Sequence, residues 1–96
     1  MAKRTPRQQS KHDKAVKKTA DYYKGLGYNV QADIKNYDQP DTINKRRPDV
    51  IAKKGKETVV VEVETNDSIK TDQKQIETFK EYADDHKNTK FRLKKA

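Results

Sequence analysis

Three carboxylates stand out by type and spacing. Glu62 and Glu64 interrupt the valine run "TVVVEVET", and Asp49 opens the preceding apolar segment "PDVIAKK". Side chains alternate across a strand, so Glu62 and Glu64 share one face and Val59, Val61 and Val63 share the other. If the two segments form a hairpin centred on Lys54–Lys56, Asp49 faces roughly position 61 or 62. Three carboxylates then lie within a few ångströms and repel one another unless a cation stands between them. A hard divalent ion such as Mg²⁺ or Mn²⁺ suits oxygen donors of this kind, completed by waters and a substrate phosphate. A cation held in this way lowers the pKa of a bound water. The competing expectation is an ordinary solvent-facing acidic strand, its glutamates paired with cross-strand lysines.

The elements that must position these groups can be read from periodicity. Residues 1–9 are polar and basic without a repeat, which predicts a disordered tail ahead of one domain at 10–96. From Ser10, a candidate N-cap, apolar residues recur at helical spacing through Leu26, and Gly25 or Gly27 ends the helix. Tyr28, Val30, Ala32 and Ile34 alternate as a first strand. A polar loop of about a dozen residues, "KNYDQPDTINKRR", leads to the second strand; a loop of that length is often functional or mobile. Gly55 turns the chain into the third strand. A second helix follows, capped by Asp67, Ser68 or Thr71, with Ile76, Phe79 and Ala83 as its apolar stripe. Phe91 and Leu93 mark a last short strand. The predicted order is α-β-β-β-α-β, an α/β (α+β) domain.

Composition limits the partners. Only 30% of the 96 residues are hydrophobic and 40% are charged, so the core must be small and a homodimer is a natural way to extend it. The absence of cysteine excludes disulfides and thiolate zinc sites. There is no apolar run of membrane-spanning length and no signal-peptide core, so a soluble cytoplasmic protein is expected. The net charge of +8 is concentrated at the two ends: residues 1–18 hold seven Lys and Arg against one acid, and residues 87–96 hold five against none. Basic ends around an acidic middle suit a polyanion, with nucleic acid the usual candidate. Lys45, Arg46 and Arg47, immediately before Asp49, would meet flanking phosphates, and Tyr37 in the long loop is the tyrosine placed to stack on a base. Tyr22, Tyr23, Tyr28 and Tyr82 fit the core or its edge. His12 and His86 are read as ordinary surface histidines. No glycine-rich phosphate loop, nucleophile elbow or zinc motif is present.

"RPDVIA" and "EVE", with twelve residues between Asp49 and Glu62, resemble the PD-(D/E)XK nuclease superfamily, and most of all its small archaeal members related to Holliday junction resolvases. The resemblance spans about residues 10–93 and implies a restriction-endonuclease-like core, a central mixed sheet flanked by helices. Pro48 and Asp49 match the "PD", and Glu62 matches the first acidic position of the second half. The resemblance implies a magnesium-dependent endonuclease acting on DNA, with Asp49 and Glu62 as metal ligands and Asp13 as an acidic residue of the first helix that joins them. It also implies a lysine at position 64, to position the water and stabilise charge on the phosphate; this chain has Glu64 instead. Three readings follow: an ExE nuclease in which Glu64 is base or ligand, a nuclease whose lysine has moved to Lys70 or Lys74, or a catalytically inactive nucleic-acid-binding module.

Overall fold

The structure is a computed structural model that describes residues 5–66 and 68–96. Its elements run α1 (Pro6–Gly25), β1 (Asn29–Ala32), β2 (Val50–Lys54), β3 (Glu57–Glu64), α2 (Ser68–Thr71), α3 (Gln73–Asp85) and β4 (Thr89–Lys95). The fold class is the expected one: a four-stranded mixed sheet in the order β1-β2-β3-β4, flanked by helices. β1, β2 and β3 are antiparallel neighbours, and β4 runs parallel to β3. That parallel pairing requires a crossover, and α2 and α3 supply it. Among the described residues no helix is long and apolar enough to cross a membrane.

Alternation along the strands makes two cores rather than one. Val50, Ala52, Val59, Val61 and Val63 face α1, where Val16 and Ala20 meet them. Ile51 and Val60 face the other way, against Phe79 of α3 and Ile43 of the loop. β3 is therefore covered on both sides. The acidic face of this strand is not solvent-facing: Glu62 is 2% exposed and Glu64 0%. The crossover geometry is the reason. Because β4 continues the sheet beyond β3 in parallel, the connecting helices must pass over the face that bears the glutamates.

Three local expectations change. The first helix begins at Pro6, so Ser10 lies inside it. Thr5 and Gln8 form a capping box, and proline sits at the first turn, where its missing N–H removes an orphan donor. Residues 5–9 thus belong to the domain, and residues 1–4 of the expected tail lie outside the described residues. The second helix is divided: Thr65 and Ser68 exchange backbone and side-chain bonds at the start of α2, and α3 restarts at Gln73. Asp67, one of the expected caps, is outside the described residues. The long loop is also less open than its polarity suggests. Ile43 and Arg46 pair through 2.7 and 3.0 Å backbone bonds. Asn44 (φ 50°) and Lys45 (φ 70°) form the left-handed tip between them.

Candidate active site

The site lies where β2 begins and β3 ends. Val50 is in register with Val61, which places Asp49 opposite Glu62, at the edge of the expected range. The Asp49 N–H donates to Glu62 Oε1 at 3.2 Å, and the Val63 N–H donates to Asp49 Oδ2 at 2.8 Å. The carboxylate thus bridges the gap where the β2–β3 ladder stops. The Asp49 carbonyl accepts from Asp33 N–H at 2.9 Å, which ties the start of β2 to the residue after β1.

Each glutamate has a polar partner from the crossover. Gln75 of α3 donates its side-chain amide to Glu62 Oε2, and the Ser68 hydroxyl donates to Glu64 Oε2. Burial pushes the Glu62 carboxyl up to about 10; the negative charge of Asp49 and a hydrogen bond to it act in the same direction. Burial likewise raises the Glu64 carboxyl, opposed by the Ser68 bond and reinforced by Asp72 and Asp49. Glu64 Oε1 is buried with no hydrogen-bond partner. A buried oxygen acceptor left without a donor is unfavourable.

Helix α1 contributes a residue that spacing did not indicate. His12, read from sequence as a surface histidine, is 4% exposed. Its Nε2 lies 3.2 Å from Asp49 Oδ1 and its Nδ1 3.4 Å from Asp13 Oδ1. Asp13 is one step removed: its Oδ1 accepts from Gln9 at 2.8 Å and faces the imidazole, not the glutamates. The signal was available in principle. Position 12 is four residues before Val16 and eight before Ala20, on the same face of the helix. His86 is exposed; it contacts Tyr82 by stacking and through the Tyr82 carbonyl.

The lysine candidates lie elsewhere. Lys70 and Lys74 are exposed. A helix turns about 100° per residue, so with Gln75 directed at Glu62, Lys74 points away from it. A lysine that the motif did not suggest is Lys95 of β4, which stands in register with Glu64. Of the basic run, Arg47 donates to the Pro40 carbonyl at 3.1 Å and Lys45 sits at the exposed hairpin tip. Tyr37 is not a free stacking ring. Its hydroxyl donates to Asp21 at 2.6 Å, its body packs on the α1-side core, and Lys24 lies over the ring. The Asp21 bond pushes the Tyr37 phenol up to about 12. Tyr23, Tyr28 and Tyr82 pack at core edges, whereas Tyr22 is 62% exposed.

The donor set can be tested against a divalent ion. Among the described residues no group of three or more His, Asp or Glu side chains forms a ready-made cage. Mg²⁺ does not require one, because it retains waters and is held through one or two carboxylates together with substrate phosphate. The donors here are hard oxygens, two carboxyl groups stand side by side at Asp49 and Glu62 with one of them holding its proton, and Glu64 keeps one oxygen unused. Those features fit a cation.

Comparison with known proteins agrees with this architecture. The family model described as AHJR-like (REase_AHJR-like) matches residues 4–96. No curated protein and no solved structure gives a significant match.

Proposed function

We propose that this chain, which belongs to the AHJR-like family of restriction-endonuclease-like proteins, is a metal-dependent endonuclease that hydrolyses DNA phosphodiester bonds with an ExE variant of the PD-(D/E)XK site. The observation that carries the reading is the Asp49–Glu62 contact. Glu62 of β3 and Asp49, the residue before β2, are held together where Glu62 is buried and keeps its proton in the absence of a cation.

Asp49 and Glu62 would hold Mg²⁺ or Mn²⁺, with Glu64 as a further oxygen donor. When bound, the ion supplies Lewis-acid polarisation of a phosphate oxygen and a lower pKa for water. The rest of the work falls to the chain. Val63 N–H and His12 fix the orientation of Asp49 from two directions. Gln75 holds Glu62, and Ser68 leaves Glu64 Oε1 free to accept a proton from an attacking water. The cation missing at position 64 is supplied in this reading by Lys95, the register neighbour of Glu64. Lys45 and Arg46, on the turn before Asp49, meet flanking phosphates.

Titration calorimetry with Mn²⁺ at pH 8 tests the metal site directly. One or more ions should bind wild type, and Asp49→Asn and Glu62→Gln should each remove the heat. Binding that survives both substitutions contradicts the site. DNA binding that ignores chelator, without cleavage, is the result expected of an inactive binding module.

A further inference from the structure

A basic groove opens beside the site on the α1 side of the sheet. It lies between the first three turns of α1 and residues 34–36, which follow β1, and its volume is about 630 Å³. Pro6 and Ile34 give it apolar walls, and Lys14 and Lys35 line it with charge. Both lysines are exposed, and neither has a carboxylate partner among the described residues. By contrast Lys17, also on the groove, is held by Asp21 at 2.6 Å.

The groove is joined to the candidate active site by contacts through buried His12, not by open space. Asp13 lines it and faces His12, which in turn contacts Asp49. From the other end, Asp33 N–H is bonded to the Asp49 carbonyl, and Ile34 and Lys35 follow directly. The basic turn at residues 44–46 is anchored on the opposite face of the sheet, through Ile43 and the α3-side core. A strand crossing the site therefore meets cations on both sides.

We infer that this groove holds the unpaired strand of a DNA substrate next to the scissile phosphate, with Lys14 and Lys35 on its phosphates and Pro6 and Ile34 against an unstacked base. Charge complementarity selects a polyanion. The apolar walls favour a single strand, because a duplex presents phosphates and sugars to a groove and keeps its base faces stacked. The inference rests on the nuclease reading and extends it to the substrate's form.

The test uses fluorescence anisotropy in Ca²⁺ with three labelled DNAs: a duplex, a single strand, and a duplex with a single-stranded overhang. Wild type should bind the overhang at least ten-fold more tightly than the blunt duplex. Lys14→Glu with Lys35→Glu should abolish that preference and make the slope of log K against log salt shallower by about 1.4, at roughly 0.7 per single-strand phosphate contact. Lys80→Glu with Lys87→Glu, distant in the fold, should leave both unchanged. Because the chain has no cysteine, Ser10→Cys places a single thiol in the groove; overhang DNA should protect it from maleimide and blunt duplex should not. Equal binding of duplex and overhang, or a preference that survives the charge reversal, overturns the groove and leaves the nuclease reading standing. A wild type that binds none of the three DNAs overturns both.

Discussion

Asp49 and Glu62 meet across the end of the β2–β3 ladder, backbone N–H to carboxylate at 3.2 Å, inside a part of the sheet covered on both faces. The contact sets a fully buried glutamate against a partly buried aspartate. Glu62 responds by keeping its proton, held up to about 10 by burial and by Asp49. A cation bound between the two carboxyl groups would offset both causes by stabilising the ionised form. The pair therefore couples protonation, stability and metal binding.

The first consequence is a pH dependence of stability. Glu62 has an ordinary value of 4.5 and a folded value of about 10. Between those values the unfolded chain has released a proton that the folded chain keeps, so stability falls as pH rises. The contribution is fully present below about 4.5 and is lost as pH approaches 10. Metal-free protein should melt at lower temperature at pH 9 than at pH 6. Glu62→Gln should flatten that slope and raise the melting temperature at pH 8, by roughly 4–8 °C for each kcal/mol recovered. A calorimetric melting series over pH checks this.

Metal should act against that slope. Mn²⁺ binds the ionised pair, so the melting temperature gained on adding it should grow from pH 6 to pH 9. At a hundred times the dissociation constant the stabilisation is about 2.7 kcal/mol. A gain that does not change with pH would separate metal binding from Glu62.

His12 sets the orientation of Asp49 through a 3.2 Å contact. Outer partners of metal-holding carboxylates are typically worth about 10–100-fold in affinity or activity. His12→Ala should weaken Mn²⁺ binding by that factor. His12→Gln, which can place an amide donor near the position of Nε2, should recover part of it. Equal loss in both variants would assign His12 to packing alone.

The lysine question has a direct comparison. Lys95→Ala should lower kcat by roughly 10²-fold, in the range of a lost charge-stabilising donor, and leave the melting temperature within a degree or two. Lys74→Ala should leave kcat within two-fold, because α3 turns that residue away from Glu62. The opposite ranking in single-turnover kinetics would return the role to the helix.

Much of this arrangement was legible in the chain. The valine and glutamate alternation gave the two faces of β3, and Gly55, with φ 59°, marked the turn that sets its register with β2. The element order followed from periodicity alone. What was not legible depended on the crossover. Alternation assigns Glu62 and Glu64 to one face but does not say what covers that face. Only the parallel pairing of β3 with β4 brings α2 and α3 over it and buries the pair. Gln75 was inconspicuous for the same reason: its partner Glu62 lies 13 residues away on another element, and Ser68, legible as a helix cap, gave no sign that it also holds Glu64. His12 was misread because a polar residue on a helix rich in lysine looks solvated, while its actual neighbour, Asp49, lies 37 positions further along the chain. Lys95 required the strand register.

The most direct measurement of the central claim is cleavage of end-labelled DNA, blunt and with overhangs, by purified protein in Mg²⁺, in Mn²⁺ and in chelator. The account predicts strand scission in either metal, none in chelator, and loss of scission in both Asp49→Asn and Glu62→Gln while each variant stays folded. Absence of cleavage in both metals, or cleavage that persists in chelator or in either variant, contradicts it.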